Sequence, residues 1–486
     1  MMARAALGED ELAFATVTEL AKLLDEQRVS PVELAQLALD RLERLGSRYN
    51  AVASVTAERA LAEARRAEGE RRAGRVRGRL HGIPYGAKDL LAARGAPTTW
   101  GAPPYRDQVF DDDAAVIQRL GRAGAALAGK LAMVELAGGG GYRYPNASLQ
   151  GPGRTPWNLD HWSGGSSSGS GAAVAAGLVP FAIGSETSGS ILSPASSCGV
   201  TGLRPTYGLV SRHGAMPLSW TLDKLGPLAH AAEDCGLVLE AIAGADRRDA
   251  ASAGRRFRYA PLAVAELRGL RLGYAPADFE DLAADEARPA FAAALDVLRG
   301  MGAPLVEAGL PPDLPYGPAV STIIGAEGAT VFAGLIESDA FESLVDARQK
   351  AGLRAGLSIS ARDYLDAMRV RSRVQAAFRR LFAEVDVLVS VAYRGPAARA
   401  DQPLDGRRHT VDPDSLPADR KRNPALVPAG NLAGLPALCL PCGFTPTGLP
   451  LAIQLVGRPF EENTLLSLGA WFQGQTDWHR RRPPVE

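Results

Sequence analysis

The sequence predicts an α/β fold in which a central mixed, twisted β-sheet is flanked by helices on both faces. Two observations predict this fold. Short apolar runs typical of buried strands lie at residues 125–130, 178–186, 270–275, 386–391, 437–442 and 449–457. Helical stretches alternate with these runs, as expected for a mixed α/β sheet. With 486 residues the chain can bury a large core, and we expect one domain over residues 1–486.

Three helices are predicted before the first of these strands. Thr16 with Glu19, and Ser30 with Glu33, have capping-box spacing, in which side chain and backbone of the two residues bond reciprocally. Each pair should open an amphipathic helix. A third helix, rich in Ala, Glu and Arg, is expected at residues 56–74, with its charged face in solvent.

Two runs rich in glycine and serine indicate the function. Residues 164–170 read Gly-Gly-Ser-Ser-Ser-Gly-Ser, and residues 184–190 read Gly-Ser-Glu-Thr-Ser-Gly-Ser. Between them, residues 170–177 favour a helix and residues 178–183 favour a buried strand that runs back along it. Both runs should therefore face one crevice at the carboxyl end of a strand, where open α/β sheets bind ligands.

A flexible linker is the simplest alternative for residues 164–170, because glycine and serine dominate such linkers. A linker would separate two self-sufficient blocks, whereas the apolar run that follows needs the rest of the chain to pack against. Glycine also lets backbone amides approach a ligand, and amides before a helix bind anions. Together with Lys88, the two runs indicate a serine hydrolase that uses a lysine base.

These residues resemble the amidase signature family. The segment Gly-Ile-Pro-Tyr-Gly-Ala-Lys-Asp at residues 82–89 and both serine runs occur in the family's order and spacing. Further matches lie at residues 154–158, 202–206, 222–227, 431–436 and 448–457, so the resemblance covers the whole chain. It implies the amidase signature fold, with a catalytic core at about residues 65–230 and a variable substrate-pocket region at about residues 250–430.

The resemblance implies roles for three side chains. Ser190 would be the nucleophile, Ser166 a bridging serine after a cis peptide bond, and Lys88 the base. A serine hydroxyl is a weak nucleophile until a base takes its proton, and a lysine can be that base only when neutral. Burial lowers the pKa of a lysine from about 10.4, and the apolar neighbours of Lys88 could supply that burial.

The oxyanion of the reaction needs fixed hydrogen-bond donors. We expect the backbone amides of one turn to provide them: Thr187, Ser188, Gly189 and Ser190.

Three positions depart from the usual family pattern. Ser168 and Ser188 stand where glycine is commoner, which keeps a small residue. Leu192 stands where many members have arginine, so we expect Glu186 to lack its usual partner.

The acyl pocket is placed by the resemblance at residues 133–146 and about 311–341. Within the first segment, a glycine run followed by an aromatic ring predicts a mobile substrate-binding loop: Gly138, Gly139, Gly140, Gly141 and Tyr142. Such a loop would suit an apolar or aryl group.

Two competing motifs are weaker. Residues 165–169 match the Gly-x-Ser-x-Gly nucleophile elbow, with Ser167 as nucleophile and a late histidine such as His479, but no strand pattern precedes them. Residues 124–130 satisfy most of a phosphate-binding loop, but Leu131 stands where Mg²⁺ needs a hydroxyl. We interpret that segment as a buried strand.

No metal or cofactor is predicted. Cys439 and Cys442 have Cys-x-x-Cys spacing but lie in an apolar run without a second pair, which favours core packing. The six histidines show no ligand spacing, and four cysteines in 486 residues are typical of a reducing compartment.

The charge balance argues against polyanionic partners. With 54 acidic and 54 basic side chains, the chain has no general attraction for nucleic acid or anionic membrane. Acidic residues 9–11 precede any apolar segment, unlike a signal peptide, and the longest apolar stretch, residues 172–184, is too short for a membrane span. We expect a cytoplasmic monomer or homodimer that acts on a small molecule.

Three functions remain open. The first is a free-standing hydrolase of amide, aryl amide, ester or carbamate (urethane) bonds, acting through an acyl-enzyme on Ser190. The second is the amidase subunit of a tRNA-dependent amidotransferase. Such subunits usually have aspartate and threonine seven and four places before Asn-Leu-Ala-Gly, where this chain has Pro424 and Val427, so we favour the first. The third, an inactive scaffold or binding protein, is disfavoured because Lys88, Ser166 and Ser190 are all present.

Overall fold

The computed structural model describes residues 7–404, 411–417 and 419–484. In this part of the chain, eleven strands form one mixed sheet flanked by helices, which confirms the predicted α/β class. The strands are β1 (Val52–Val55), β2 (Pro84–Lys88), β3 (Ala126–Leu131), β4 (Phe181–Glu186), β5 (Thr201–Arg204), β6 (Lys224–Ala229), β7 (Leu272–Tyr274), β8 (Leu305–Glu307), β9 (Val387–Val391), β10 (Ala437–Phe444) and β11 (Pro450–Gly457).

The sheet order is β1-β3-β2-β4-β6-β5-β10-β11-β9-β7-β8. β2 is parallel to both of its neighbours, β3 and β4. β7 is likewise parallel to β8 and β9. All other neighbouring pairs are antiparallel.

The described residues contain these α-helices: α1 (Glu9–Ala13), α2 (Val17–Asp25), α3 (Pro31–Leu45), α4 (Ala57–Arg72), α5 (Ala115–Ala123), α6 (Ser168–Ala175), α7 (Leu192–Cys198), α8 (Ala232–Ile242), α9 (Val264–Arg268), α10 (Pro276–Glu280), α11 (Arg288–Gly300), α12 (Tyr316–Val331), α13 (Ala333–Ile336), α14 (Ala347–Gly356), α15 (Ala361–Glu384), α16 (Leu426–Ala433) and α17 (Glu462–Gly474). No helix of the described residues is both long enough and apolar enough to cross a bilayer.

The capping boxes at the start of α2 and α3 are confirmed. The backbone N–H of Glu19 donates to Thr16 Oγ1 at 3.1 Å, and that of Glu33 donates to Ser30 Oγ at 3.1 Å. Each glutamate also accepts the N–H of its capping residue, so two otherwise unsatisfied donors are bonded at each helix start. The helix expected at residues 56–74 is α4.

The six predicted strands are present as β3, β4, β7, β9, β10 and β11. β4 begins at Phe181, later than expected, because residues 177–180 form the turn that leaves α6. Five strands were not predicted: β1, β2, β5, β6 and β8. In β2 and β6, glycine, proline and lysine interrupt the apolar pattern on which strand prediction depends.

Buried residues form two large apolar clusters, and the strands between them are covered on both faces. Along β4, Phe181 and Ile183 belong to one cluster and Ala182 to the other, because successive side chains of a strand point to opposite faces. Cys439 and Cys442 are divided between the same two clusters and are fully buried. Burial raises the pKa of both thiols, as expected for core residues.

The topology places the predicted catalytic residues at one edge of the sheet. β2 ends at Lys88 and β4 ends at Glu186, and the two strands are parallel, so their carboxyl ends meet. The segment at residues 394–424, between β9 and α16, is described in part. Residues 405–410 and 418 of it lie outside the described residues, and the rest includes a short 3₁₀ turn at Pro413–Ser415.

Candidate active site

Lys88 is the last residue of β2 and its side chain is fully buried. Its Nζ lies 2.7 Å from Ser166 Oγ and 2.8 Å from Ser185 Oγ. Asp223 and Glu186 affect the lysine only through longer-range attraction. Burial therefore dominates and holds the pKa of Lys88 well below its usual range. A neutral amine that contacts a serine hydroxyl can accept a proton from it.

Ser166 lies two residues before α6, and the Gly165–Ser166 peptide bond is cis. The carbonyl oxygen of Ser166 accepts the N–H of Val134 at 3.1 Å, which fixes the loop against the segment after β3. A Cβ on Gly165 would lie 2.7 Å from the Trp162 ring and 2.8 Å from Val134, so only glycine fits there without displacing them. The bridging position predicted for Ser166 is thus next to the lysine amine.

Ser190 lies in the turn between β4 and α7, directly after Gly189, whose φ is +95°. Its carbonyl oxygen accepts the N–H of Ser167 at 3.2 Å, so backbone bonding joins the two serine runs. Ser190 is 9% exposed, unlike Ser166, which is almost fully buried. The predicted nucleophile is therefore the more accessible of the two serines.

Ser185 was not assigned a role from the sequence. Near the end of β4, its hydroxyl is the second contact of the Lys88 amine. The pairing of β2 with β4 explains this contact, because Ala87 is opposite Ile183 and the following residues of both strands meet. Finding this contact from the sequence would have required predicting the pairing of β2 with β4, and β2 was not predicted.

The turn expected to bind the oxyanion is held by Asp223. Thr187 Oγ1 donates to Asp223 Oδ1 at 2.7 Å, and the other carboxylate oxygen accepts two backbone N–H groups at 2.8 and 2.9 Å. Burial raises the pKa of Asp223. The backbone amides of Ser188, Gly189 and Ser190 donate to no acceptor within the described part of the chain. They are available to a ligand.

Glu186 lacks the usual arginine at position 192, as expected, but it has another partner. Arg204, the last residue of β5, donates from Nη1 to Glu186 Oε1 at 3.0 Å, and both side chains are fully buried. Asn431 Nδ2 donates to the same oxygen at 2.9 Å. Burial alone would raise the pKa of Glu186, but attraction to Arg204 and Lys224 together with the hydrogen bonds to the carboxylate lowers it overall. The partner comes from across the sheet and not from the neighbouring turn.

The second carboxylate oxygen of Glu186 accepts the N–H groups of Ile191 and Leu192 at 2.9 and 3.0 Å. These are the two residues after Ser190. The Glu186–Arg204 pair therefore fixes the backbone that carries the predicted nucleophile.

The predicted substrate-binding glycine run follows a short turn at Glu135–Gly138 and packs against α14. Positive φ angles at Gly138, Gly140 and Gly141 require glycine or strain. Asp346, just before α14, accepts the N–H groups of Arg143 and Tyr144 at 2.8 and 3.1 Å.

Glu135 ties the other end of this loop to the same helix. Its carboxylate accepts the N–H of Val345 at 3.1 Å, and burial raises the pKa of Glu135 to about 7. The half-buried Tyr142 ring stands edge-on to Trp162, with 6.1 Å between ring centroids. Glu135 and Asp346 were not singled out in the sequence, because only the packing of α14 brings them to the loop.

Two cavities flank the turn at residues 187–190. The first, the Thr187 cavity, has a volume of about 180 Å³ and is lined by residues that include Ser185, Thr187, Leu218, Trp220 and Asp223. The second, the Ser188 cavity, has a volume of about 430 Å³ and is lined by Ser188, Asp278, Ser390, Val391, Ala392, Tyr393, Arg394, Asn423, Pro424, Leu426, Val427, Pro428 and Gln454.

The competing motifs do not assemble a site. No strand precedes Ser167 within residues 157–166, and its buried hydroxyl donates to the Ser185 carbonyl at 3.2 Å. His479 lines a different cavity, with His230 and residues of α2. Lys130 of the proposed phosphate loop lies in β3, where its amine donates to Asp89 at 2.9 Å. The described residues contain no cluster of three or more histidine, cysteine or acidic side chains that could hold a metal.

The fold and this group of residues define an enzyme that acts on C–N bonds. The chain belongs to the amidase signature family, since the family model described as Amidase matches residues 33–466. This confirms the family resemblance and the fold.

Three relatives illustrate the family. One, a subunit of the glutamyl-tRNA(Gln) amidotransferase of Moorella thermoacetica, is 38% identical, over 98% of this chain and 99% of the relative. The native peptide amidase of Stenotrophomonas maltophilia superposes with a TM-score of 0.82 at 31% identity, over 97% of this chain and 98% of that one. A chain from a vestigial protein complex that reveals the origins of an s-triazine catabolic enzyme has a TM-score of 0.83 at 31% identity, over 95% and 98% of the two chains.

Proposed function

We propose that the chain hydrolyses the C–N bond of an amide through an acyl-enzyme on Ser190. The observation that carries this proposal is the fully buried Lys88 amine, 2.7 Å from Ser166 Oγ, with burial lowering its pKa. A buried amine with a lowered pKa serves as a base near neutral pH. In this proposal Lys88 is the base, Ser166 the bridging serine and Ser190 the nucleophile.

In the proposed acylation step, Ser190 Oγ attacks the amide carbonyl carbon. Its proton passes to Ser166, whose own hydroxyl proton passes to Lys88 Nζ. The backbone amides of the turn at residues 187–190 bind the resulting oxyanion. The tetrahedral intermediate then expels the amine, which receives the proton back from Lys88 through Ser166. Water deacylates the enzyme by the same relay, releasing the acid and regenerating Ser190.

The curated relatives support the amidotransferase alternative more strongly than a free-standing amidase. Eight of them, 36–38% identical over nearly the whole chain, are described as subunits of glutamyl-tRNA(Gln) amidotransferases. As a second candidate, we therefore propose that this chain supplies the same chemistry within a complex. Pro424 and Val427, which line the Ser188 cavity in place of aspartate and threonine, favour the free-standing enzyme. Cleavage of esters and carbamates, a monomeric or homodimeric state and a cytoplasmic location belong to that free-standing proposal.

Turnover by the purified chain alone decides between these two functions. A panel of anilides, primary amides, esters and carbamates is assayed without a partner, with Ser190→Ala as the matched control. Turnover by wild type and none by Ser190→Ala is expected for the free-standing enzyme. Activity that requires the other subunits of an amidotransferase would establish the alternative.

The nucleophile is tested separately by covalent labelling. A fluorophosphonate should modify Ser190, and peptide mapping locates the adduct. Labelling of Ser167 would instead support the nucleophile elbow. Activity that is lost with a chelator and restored by zinc would contradict the proposed lysine-based mechanism.

A further inference from the structure

The Ser188 cavity contains a cation that has no hydrogen-bond or ion-pair partner among the described residues. Arg394 lies in the loop after β9, is partly exposed and lines the cavity. Its guanidinium makes no hydrogen bond or ion pair within the described part of the chain. Burial lowers the pKa of Arg394, but an arginine keeps its charge in proteins. A partly desolvated cation in a cavity is an attractive site for an anion.

The acceptors that face Arg394 come from neighbouring elements. Asp278 on α10 accepts the N–H of Asn423 at 2.8 Å and the hydroxyl of Ser390 at 3.1 Å. Burial raises the pKa of Asp278 to about 6. Its carboxylate attracts Arg394 without forming an ion pair with it, and Asp412 acts on Arg394 at longer range. Arg394 is thus left with hydrogen-bond capacity for a ligand.

A buried acceptor in the same cavity also lacks a partner. Gln454 on β11 is 1% exposed, and its Nε2 donates to the Val391 carbonyl at 3.2 Å. That bond fixes the amide, and its Oε1 has no donor among the described residues. An unsatisfied buried acceptor is costly unless a ligand or water supplies a donor. Gln454 is therefore a second polar residue of the cavity wall, besides Arg394, with unused hydrogen-bond capacity among the described residues.

The cavity adjoins the turn that carries the predicted nucleophile. Ser188 forms part of its wall. A Cβ placed on Gly189 would lie 2.8 Å from the Tyr393 hydroxyl and 3.2 Å from Val427 Cγ1, so the cavity wall contacts the nucleophile turn. Pro424 stands where amidotransferase subunits usually have aspartate. Without that carboxylate, Asp278 is the single acidic side chain beside Arg394 among the described residues that line the cavity.

We propose that Arg394 binds a carboxylate of the substrate in the Ser188 cavity, so that the preferred amides carry an acidic group. This inference rests on the proposed function and names its substrate class. The guanidinium can donate two parallel hydrogen bonds to a carboxylate, a geometry that lysine or a neutral side chain lacks.

The test uses two pairs of anilides that differ in charge and little in shape. On the acyl side, succinyl para-nitroanilide is compared with isocaproyl para-nitroanilide. On the amine side, para-acetamidobenzoate is compared with para-isopropylacetanilide. In one of the two pairs, the anionic member should have a kcat/KM about 10- to 100-fold higher in wild type, as expected for a charge-assisted hydrogen bond.

Arg394→Gln should reduce that ratio to about one or below, because kcat/KM of the anionic member falls far more than that of the neutral member. Arg394→Lys should keep part of the preference, because it keeps the charge without the bidentate geometry. The matched control is Arg399→Gln. Arg399 is in the same loop and pairs with Asp401 at 3.0 Å, but it does not line the cavity, so its loss should leave the ratio unchanged.

Equal rates within both pairs, or a preference that survives Arg394→Gln, would overturn the inference while turnover of the neutral amides upholds the proposed function. If no amide is turned over, the proposed function fails instead. Calorimetric titration of succinanilate and para-acetamidobenzoate into wild type and Arg394→Gln then decides the inference. Loss of binding in the variant supports it, and equal binding or none to either protein contradicts it.

Discussion

The buried Glu186–Arg204 pair gives the sharpest stability prediction. Arg204→Met removes one partner of an ion pair whose two side chains are fully buried and 3.0 Å apart. Breaking such a pair from one side costs about 3–5 kcal/mol, because a buried charge loses its partner. The N–H groups of Ile191 and Leu192 and the amide of Asn431 still bond the carboxylate. We therefore expect a loss near the lower end, about 3 kcal/mol in the free energy of unfolding.

The assay is urea unfolding followed by tryptophan fluorescence, in a double-mutant cycle. Glu186→Gln alone leaves the Arg204 charge buried, whereas Glu186→Gln with Arg204→Met removes both charges. The double variant should lose less free energy of unfolding than the two single variants lose together, by more than about 1 kcal/mol. Arg299→Met is the matched control, because its pair with Asp296 is exposed and should contribute less than about 0.5 kcal/mol.

Additive losses in this cycle would refute the claim that the two charges stabilise each other. The kinetic readout is independent. Because the Glu186 carboxylate fixes the two residues after Ser190, Glu186→Gln should lower kcat with little change in KM. An unchanged kcat would mean that the pair stabilises the fold without positioning the nucleophile.

Further predictions follow from the site. Between the lowered pKa of folded Lys88 and its unfolded value of about 10.4, the protein takes up a proton when it unfolds. The free energy of unfolding should therefore rise with pH in this window, by up to about 1.4 kcal/mol per pH unit more in wild type than in Lys88→Met. Urea unfolding of both proteins measures this difference. The rate of single-turnover acylation should rise with pH through the same lowered pKa of Lys88. Acylation should vanish in Lys88→Met and persist weakly in Ser166→Ala, where water can replace the bridging hydroxyl. An unchanged pH profile in Lys88→Met would contradict the assigned base. Gly140→Ala should raise KM, because its Cβ would lie 2.4 Å from the Gln349 carbonyl oxygen. Gly141→Ala is the control, since it has the same φ strain but open space around its Cβ. Equal effects of the two substitutions on KM would argue against the packed loop. The preference for anionic amides should grow as pH falls through about 6, where Asp278 becomes protonated and no longer repels the substrate carboxylate, and a flat ratio of kcat/KM across this range would exclude that effect.

The sequence predicted the strands whose apolar character is continuous, such as β4 and β11. It missed β2, where proline and glycine interrupt the pattern and Lys88 is the final residue. That strand is buried through its pairing with β3 and β4, which is a tertiary effect. Strand prediction from the local apolar pattern cannot detect burial of this kind.

The same distinction applies to the site. Lys88 and Ser166 were found because their motifs are contiguous, and the structure places them in contact. Ser185 and Arg204 were not, because each contact depends on strand pairing between distant segments. The partner of Glu186 was missed for the same reason, because Arg204 lies on a different strand and reaches Glu186 only in the folded sheet.

The contacts around Ser190 explain why a buried lysine is useful there. The turn before Ser190 is held by Asp223 through Thr187, and the residues after it by Glu186. Its amides remain free of acceptors in the described chain, so they can meet a developing oxyanion without reorganising. A charged lysine in this position has no lone pair with which to accept the proton that the proposed relay takes from Ser190. Burial favours the neutral amine that can accept this proton, and the pH profile of Lys88 variants tests this requirement.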